Sequence, residues 1–254
     1  VFAGVAGGHI KAQNSLGIVA VKGREVGSED VERAIEAAKA IAIPLDRQIL
    51  HTLPQSYIVD EQDGIKDPIG MSGVRLEAKV HIVTGVGPSI QNIEKSVTRV
   101  GLDINDVVLE QLAASQAVLS DDERDLGVAL LDIGGGTTNI AVFWEGSIRH
   151  TAVIPVGGSF LTSDIATGLR TPLSEAEKIK IDYGCAYAPL ISKEEAIEVP
   201  SVGGRDPRSV SRQILGRIIE ARMEEILSMA YKEVIRSGYE DVLAAGVVLA
   251  GGTA

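Results

Sequence analysis

An aspartate, three consecutive glycines and two threonines lie within seven residues of this chain and have the composition of an anion-binding hairpin. The segment reads Asp132-Ile133-Gly134-Gly135-Gly136-Thr137-Thr138. Glycines carry no Cβ, so their backbone N–H groups can approach an anion closely, and threonine hydroxyls add donors at the rim. The carboxylate of Asp132 ends an apolar run, where it suits a hydrated Mg²⁺ that bridges phosphate oxygens. We therefore expect residues 134–138 to cradle a phosphate and Asp132 to hold magnesium through water; a plain glycine hairpin is the alternative.

This hairpin is neither of the two common phosphate loops. The sequence has no GxxxxGK[ST] pattern, and its glycines precede an apolar strand at 140–144, where a dinucleotide fingerprint requires a helix. Two more glycine turns follow predicted strands: Gly157-Gly158-Ser159, which opens a predicted helix, and Gly251-Gly252-Thr253. A helix N-terminus favours an anion. We expect the three turns to converge on one nucleotide.

The composition indicates a folded, acidic chain. It has 254 residues, of which 45% are hydrophobic and 28 are glycine, and its formal net charge is -11 at pH 7. A chain of this length buries a sizeable core in one or two domains. The acidic balance argues against nucleic acid as a partner, because nucleic-acid binding needs a basic surface.

Cysteine and histidine usage gives no sign of a disulfide or a metal centre. Cys185 is the only cysteine, and between Gly184 and Ala186 it is interpreted as a small buried filler in a reducing compartment. The four histidines lack metal-ligand spacing. No apolar run approaches the roughly 20 residues of a membrane helix, and no secretory leader is recognisable. The first residues read as a strand end and the last as a glycine turn, so we expect a piece of a longer protein.

Strand and helix patterns alternate along the chain, which is typical of an α/β fold. The predicted strands are 1–10, 18–21, 49–59, 74–84, 126–133, 140–144, 147–154 and 242–250. The predicted helices begin at Ser28 and end before Pro44, run from Ser89 to a stop at Gly101, and cover 107–119, 162–169, 174–184 and 211–237. Residues 14–88 therefore read as a strand, helix, strand and strand module of their own.

The order of the three glycine turns resembles the ATPase superfamily that includes actin, heat-shock chaperones and sugar kinases. The Asp132 segment resembles the second phosphate loop of that superfamily, and Leu249-Ala-Gly-Gly-Thr253 resembles its adenosine motif. The resemblance implies a two-domain, actin-like (ribonuclease H-like) ATPase fold of the α/β class, with ATP and Mg²⁺ as cofactors. It also implies that Gly251, Gly252 and Thr253 face the adenosine and the α-phosphate.

Further segments resemble the FtsA family of bacterial cell-division proteins and span essentially the whole chain. They are Asn14-Ser-Leu-Gly-Ile-Val19, residues 43–55, residues 70–84, Ala176-Glu-Lys-Ile-Lys180 with Gly184-Cys-Ala186, and Ser201-Val-Gly-Gly-Arg205. This resemblance implies a small α/β subdomain inserted in the first half. Such a subdomain is expected to contribute to self-association, as a dimer or filament, and to contacts with other division proteins.

The same resemblance divides the chain into domains. In chain order, 1–13 end the first actin-like subdomain, 14–88 form the inserted subdomain, 89–125 return to the first subdomain, 126–158 form the core of the second half with the phosphate hairpin, 159–241 form a helical nucleotide and partner subdomain, and 242–254 return to the second core with the adenosine motif. The helical subdomain is where the resemblance predicts partner binding.

Glu110 is the residue for which the resemblance implies a part in hydrolysis. It opens Glu-Gln-Leu-Ala-Ala-Ser, which resembles the Glu-Pro-x-Ala-Ala-Ala stretch whose glutamate positions the attacking water. Gln111 stands in place of the proline, and a solvated helical glutamate is an equal alternative. Gln116 is a second candidate. Glu110 and Asp132 are therefore the predicted catalytic residues.

Charged residues of the helical subdomain carry two further implied roles. Lys178, with Glu177 and Lys180, lies on a helix that resembles the ribose-contacting helix of the superfamily, although a solvated face is the alternative. The arginines of this subdomain are Arg205, Arg208, Arg212, Arg217 and Arg222. Grouped basic residues can bind an acidic peptide, and the resemblance implies the C-terminal tail of the tubulin-like protein FtsZ at Arg208 and Arg222. A helix face with internal salt bridges is the alternative.

The resemblance implies an ATP-binding scaffold that tethers the FtsZ ring to the cytoplasmic membrane at the division site, on its inner face. ATP acts mainly as an assembly ligand, and any ATPase turnover is expected to be slow. The first phosphate loop of the family and its membrane-binding C-terminal helix are not found in the sequence, so we expect weak ATP binding and no membrane binding by this chain. The alternatives are a phosphotransferase of the sugar or acetate kinase type, which needs an acidic base for a second substrate, and a chaperone ATPase, which needs a substrate domain.

Overall fold

The computed structural model describes residues 1–41, 43–203 and 205–253, and these form two compact units. The first unit contains Val1–Asp132, Asn139–Val153 and Glu233–Ala250; the second contains Ile133–Thr138, Ile154–Lys232 and the described part of Gly251–Ala254. Three predicted segments each include one residue outside the described residues: Ala42 in the helix predicted from Ser28 to before Pro44, Gly204 in 201–205 and Ala254 in 242–254.

Strands and helices alternate over the described residues. The first half contains β1 Phe2–Val5, β2 Lys11–Ala20, α1 Ser28–Lys39, β3 Arg47–Val59, β4 Gln62–Ile65, β5 Arg75–Val86, α2 Gly87–Arg99, β6 Asp106–Leu109, α3 Glu110–Val118 and α4 Asp121–Leu126. The second half contains β7 Val128–Ile133, β8 Thr138–Trp144, β9 Ser147–Ile154, α5 Gly158–Leu169, α6 Leu173–Tyr183, β10 Ala196–Val199, β11 Arg208–Ser211, α7 Arg212–Ser237 and β12 Gly246–Ala250. Short 3-10 helices lie at Ala188–Leu190 and Glu240–Val242.

Strands β2, β5, β3 and β4 form, in this order, an antiparallel sheet, and helix α1 packs on it. A Cβ on Gly17 of β2 would lie 1.9 Å from the Ala34 carbonyl oxygen, so glycine lets α1 lie directly on the strand. Ala34 and Ala38 are fully buried in a core that includes Leu76 of β5. The Ser15 hydroxyl also donates to the Ala38 carbonyl at 2.7 Å.

A polar seam joins this sheet to β9 within the first unit; it consists of Asn14, Gln55, His81, Thr151 and the Ile148 carbonyl. His81 is 2% exposed, and its Nδ1 lies 2.6 Å from Asn14 Oδ1 while its Nε2 lies 3.0 Å from the Thr151 hydroxyl. Gln55 Nε2 donates to the Ile148 carbonyl at 2.7 Å. Burial, with a smaller contribution from the nearby His150, lowers the pKa of His81 to about 4.

A second sheet of the first unit has the strand order β12-β7-β8-β9. Every residue of β7 is buried, as a continuous apolar run predicts for a strand covered on both faces. Strand β12 pairs with β7 in parallel and places Ala250 opposite Asp132. Strand β7, which carries Asp132, is therefore an internal strand of this sheet, with β12 on one side and β8 on the other. A separate two-stranded sheet pairs β1 with β6 in parallel.

Helices α5 and α6, most of α7 and the antiparallel pair β10 and β11 make up most of the second unit. Its buried core draws apolar residues from α5, α6, β10 and α7, among them Leu161, Ile165, Ala176, Ile179, Ile197, Leu215 and Ile226, and the partly buried Val210 of β11 packs against them. Over the part of the chain that the structure describes, no helix is long and apolar enough to cross a membrane.

The structure differs from the sequence expectations at several element boundaries. The single helix predicted over 107–119 is wrong for its first residues, which form β6 before α3 begins. Val107 and Leu109 are buried and the residue between them is less so, and this alternation is typical of a strand. These residues pair with β1, which makes them a strand and not the start of a helix. Helix α4, which begins with a capping box between Ser120 and Glu123, was not predicted, and neither were β4, β10 and β11. Helix α5 begins at Gly158, four residues earlier than expected.

Candidate functional site

The first glycine turn is closed by its own backbone and leaves a row of amides without a partner. Gly134 N–H donates to the Thr137 carbonyl at 2.9 Å. The N–H groups of Gly135, Gly136 and Thr137 have no hydrogen-bond acceptor among the described residues. A Cβ on Gly135 or Gly136 would meet no described atom within 4 Å, so packing within the protein does not require glycine there. A row of unpaired amides beside open space is an anion-binding arrangement.

The second glycine turn is packed against the first one. A Cβ on Gly157 would lie 2.4 Å from the Gly134 carbonyl oxygen and 2.9 Å from the Gly135 carbonyl oxygen. The N–H groups of Gly158 and Ser159, at the start of α5, donate to these two carbonyls at 2.9 and 2.7 Å. These amides were expected to face an anion; in the structure they support the first turn instead.

The third glycine turn completes the cluster through its threonine. Thr253 N–H donates to the Ile133 carbonyl at 3.1 Å, and its hydroxyl donates to the Gly134 carbonyl at 3.3 Å. A Cβ on Gly158 would lie 2.3 Å from Thr253 Oγ1. The three turns thus meet within the second unit, and residues 134–137, 157–158 and 251–253 are called the glycine-turn cluster below.

Asp132 is nine-tenths buried near the end of β7 in the first unit, two residues before Gly134 along the chain. Its carboxylate forms no ion pair and no hydrogen bond with the described residues. The described residues also contain no group of three or more His, Cys, Asp or Glu side chains that could hold a metal ion. One unengaged carboxylate fits Mg²⁺, which usually keeps several waters and binds through one or two carboxylates together with phosphates.

Glu110 is the first residue of α3 and is exposed. The buried Asn139 of β8 donates from Nδ2 to Glu110 Oε2 at 3.1 Å and so orients this carboxylate. Sequence reasoning did not assign Asn139 a role; a polar residue within the apolar run of β8 was the available signal. Gln111, which replaces the proline of the resembled motif, is fully buried and donates to the Ala152 carbonyl at 3.3 Å. Gln116 is exposed on α3.

The two lysines of α6 differ in their surroundings. Lys178 is 67% exposed and pairs with Glu175 at 2.9 Å, and this hydrogen bond raises the pKa of the lysine. Lys180 is 18% exposed and reaches Glu177 Oε2, Thr162 Oγ1 and the Gly158 carbonyl. Hydrogen bonds from Lys180 and then Thr162 lower the pKa of Glu177. Sequence reasoning chose Lys178 for the site, whereas the structure brings Lys180 to the glycine-turn cluster.

Both arginines predicted to bind a partner are already engaged inside the second unit. Arg222 donates to both carboxylate oxygens of Asp164, at 2.6 and 3.1 Å, and also pairs with Glu225. The hydrogen bond with Asp164 raises the pKa of this guanidinium. Arg208 donates to the Leu169 carbonyl. A helix face with internal salt bridges was the alternative to partner binding, and Arg222 forms such salt bridges.

Two protein-family models match the chain, one in its first half and one in its second half. The model described as "SHS2 domain inserted in FTSA" matches residues 7–84. The model described as "Cell division protein FtsA" matches residues 129–253. The two matches leave 85–128 between them.

Curated relatives match over nearly the full chain. The cell division protein FtsA of Pseudomonas aeruginosa is 56% identical over 252 residues, which are 99% of this chain and 60% of that protein. The cell division protein FtsA of Escherichia coli K12 is 46% identical over 261 residues, which cover 100% of this chain and 62% of that protein. The chain thus spans about three fifths of the length of these relatives.

Among solved structures, the chain is similar to one described as a PilM-PilN type IV pilus biogenesis complex. The TM-score is 0.60 at 16% identity, and the match covers 99% of this chain and 62% of the other. At this identity the likeness shows the fold alone. The actin-like ATPase fold predicted from the sequence is confirmed.

Proposed function

This chain belongs to the FtsA family of bacterial cell-division proteins, and we propose that its glycine-turn cluster binds the phosphates of ATP. The observation that carries the proposal is the row of amides at Gly135, Gly136 and Thr137, which have no acceptor among the described residues. Consecutive backbone N–H groups without a partner in the protein can form a concave anion site. The other two turns support this row, because their N–H and hydroxyl groups donate to the carbonyls of Gly134 and Gly135.

The remaining predicted site residues keep the roles that the resemblance implies for them. Gly251, Gly252 and Thr253 are assigned to the adenosine and α-phosphate side, and Lys178 to the ribose. Asp132 holds Mg²⁺ through water, and this ion, when bound, neutralises phosphate charge. Glu110 accepts a hydrogen bond from the attacking water during any slow hydrolysis. Asn139 supports this role, since it fixes one oxygen of the Glu110 carboxylate.

In this proposal ATP is an assembly ligand of a cell-division scaffold. A nucleotide stabilises one state of the protein by its differential affinity, and this state self-associates. The inserted sheet and α1 contact other division proteins, and the arginine-bearing subdomain receives the acidic FtsZ tail. The protein thereby links the FtsZ ring to the inner face of the cytoplasmic membrane, with membrane attachment assigned to the amphipathic helix known from the family.

Alanine at Gly135 tests the nucleotide site. Because its Cβ meets no described atom within 4 Å, the variant should fold normally, while the methyl group occupies the space that a phosphate needs. We expect Gly135→Ala to weaken the binding of a fluorescent ATP analogue with Mg²⁺ by about tenfold or more, equivalent to about 1.4 kcal/mol.

Gly8→Ala is the matched control, since a Cβ there also meets no described atom within 4 Å and Gly8 lies outside the cluster. It should bind the analogue like the parent protein. The nucleotide assignment is wrong if the parent binds no ATP, or if the Gly135 and Gly8 variants bind it equally well.

A pull-down with the FtsZ tail peptide tests the partner assignment. Arg222→Glu places a third carboxylate beside Asp164 and Glu225, so it should repel an acidic tail and abolish its capture. Arg236→Glu is the control, because Arg236 also belongs to α7, is 75% exposed and pairs with a glutamate three residues away. No capture by the parent, or equal losses in the two variants, would remove this partner.

A further inference from the structure

His51 of β3 accepts a hydrogen bond from the main chain immediately before Glu110. Its Nε2 lies 2.9 Å from the backbone nitrogen of Leu109, a fully buried residue. Because a backbone N–H donates, Nε2 must offer a lone pair, and the imidazole is neutral with its proton on Nδ1. The inserted sheet β2-β5-β3-β4 thus reaches the start of α3 through this one hydrogen bond.

A β-bulge turns His51 toward Leu109. Between Ile49 and His51, strand β3 advances two residues while its partner β5 advances one. Ile49 packs against the core beneath α1, whereas Leu50 packs against the core that contains Leu109. Strict alternation would place His51 on the same face as Ile49, and the extra residue places it on the opposite face. Bulges often re-aim a side chain beside a functional site.

Leu109 is the point at which β6 becomes α3. It ends β6, which among the described residues pairs with β1 alone, and it is the N-cap residue of α3. The first four N–H groups of a helix have no partner inside the helix, and a leucine side chain cannot supply one. A buried N–H without an acceptor is costly. His51 supplies that acceptor for Leu109 and so fixes where the helix starts.

Glu110 is therefore held at both its backbone and its carboxylate. Its backbone follows directly on the residue that His51 binds, and its Oε2 accepts a hydrogen bond from Asn139 at 3.1 Å. The next residue, Gln111, is fully buried and donates to the Ala152 carbonyl of β9. A carboxylate that orients a water acts only from a well-defined position. His51 is the contribution of the inserted sheet to that position.

We propose that His51 is a positioning residue for ATP hydrolysis: it sets the start of α3, and with it Glu110, and makes this setting depend on the inserted sheet. The inference rests on the proposed function, in which Glu110 accepts a hydrogen bond from the attacking water. That reaction consumes one water and yields ADP, inorganic phosphate and a proton. A partner that displaces the inserted sheet therefore changes hydrolysis without contacting the nucleotide.

His51→Leu removes the acceptor and tests the proposal directly. In the purified protein, saturated with ATP and Mg²⁺, we expect the single-turnover rate of hydrolysis to fall about tenfold, because a misplaced catalytic group loses its effect. The Kd for a fluorescent ATP analogue should stay within about twofold of the parent, since His51 lies outside the glycine-turn cluster. His51→Gln keeps an acceptor near the position of Nε2 and should restore most of the rate.

A second readout follows Glu110 without any nucleotide. The side-chain amide of Asn139 contacts the Glu110 carboxylate, so its NMR resonance should shift toward that of a free amide in His51→Leu and return in His51→Gln. His9→Leu is the matched control. Burial lowers the pKa of His9 as well, but its Nε2 has no hydrogen-bond partner among the described residues. This control should leave both the rate and the Asn139 resonance unchanged.

Acid gives an independent check, because a protonated imidazole cannot accept a hydrogen bond. Burial lowers the pKa of His51, and the charge of Asp106 on β6 opposes this with a smaller effect. The neutral imidazole therefore persists at pH 7, and its bond to Leu109 is lost as the pH falls below the pKa of His51. The parent should lose hydrolysis in that range more steeply than His51→Gln, whose amide does not titrate. Equal pH profiles would contradict the proposal.

The outcomes separate this inference from the proposed function. If the parent binds no ATP, the proposed function itself fails, and the inference with it. If the parent binds ATP without hydrolysing it, or if His51→Leu lowers rate and affinity alike, the inference is wrong and the nucleotide site stands. An Asn139 resonance that is unchanged in His51→Leu also overturns the inference.

His51→Asn keeps the test decisive if His51→Leu does not fold. The asparagine amide reaches only as far as the ring Nδ1, so it leaves Leu109 without its acceptor while a polar side chain is retained. We expect the same loss of rate with unchanged affinity for the ATP analogue. Parental hydrolysis by His51→Asn would overturn the proposal.

Discussion

The glycine-turn cluster and the polar seam are held together in opposite ways. In the cluster, backbone lies against backbone: Gly157 approaches the carbonyls of Gly134 and Gly135 so closely that a Cβ has no room. In the seam, long polar side chains such as His81 and Gln55 reach across from neighbouring strands. The cluster therefore depends on the absence of side chains, and the seam depends on their identity and protonation. Substitution should damage the cluster by steric overlap and the seam by loss of hydrogen bonds.

The largest effect should follow from Gly157→Ala. Its Cβ would overlap three backbone atoms, at 2.4, 2.9 and 2.9 Å, and backbone cannot move aside as a flexible side chain can. We expect the free energy of unfolding to fall by more than about 3 kcal/mol, beyond the usual cost of overpacking. Chemical denaturation followed by circular dichroism measures this loss.

Gly135→Ala is the control for this steric argument, since a Cβ there meets no described atom within 4 Å. Its stability should stay close to that of the parent. Equal stability of the two alanine variants would show that close backbone approach does not hold the cluster together.

The sequence revealed these two regions unequally. Runs of glycine after apolar strands are visible in the sequence, so the three turns at residues 134–137, 157–158 and 251–253 could be located without a structure. The seam is built from single polar residues that are far apart in the sequence. Asn14 and Gln55 are 41 positions apart, and Gln55 and His81 are 26 positions apart. Its members become neighbours only through the pairing of β2, β5 and β3, which no local pattern specifies. The partners of His81 could therefore not be named from the sequence.

The same limit applies within the candidate site. Glu110 was found because its position resembles a family motif, while Asn139 contacts it across 29 positions of sequence. Lys178 and Lys180 could not be distinguished by spacing, because either lysine can lie on the exposed side of a short helix. Only the packing of α6 against the start of α5 decides which of them is buried.

The next largest effect should be a loss of stability in acid that originates in the seam. The folded pKa of His81 is about 4, whereas an unfolded histidine titrates near 6.5. Between these values the unfolded state binds more protons, so stability falls as the pH drops from 6.5 to 4 and levels off below. The full loss is about 3 kcal/mol. Denaturation at several pH values measures this slope.

His81→Leu sharpens this assignment. The variant should be less stable at pH 7, because the polar partners of His81 lose a hydrogen bond, but its stability should depend less on pH between 6.5 and 4. Burial also lowers the pKa of His9, His51 and His150, so part of the slope should remain. An unchanged slope in the variant would remove His81 as the main source of acid sensitivity.

The smallest effect should come from an exposed ion pair of the same unit. Lys66, just after β4, lies 3.1 Å from Asp125 of α4, and both side chains are more than half exposed. Water and salt screen such a pair, so Lys66→Ala should change the free energy of unfolding by at most about 0.5 kcal/mol. Denaturation in low and high salt would detect a larger contribution. Lys66→Ala could instead destabilise the protein as much as His81→Leu does at pH 7. That result would show that exposed charge, and not the buried seam, holds the inserted sheet in place. The contrast between backbone packing in the cluster and side-chain hydrogen bonds in the seam would then be wrong.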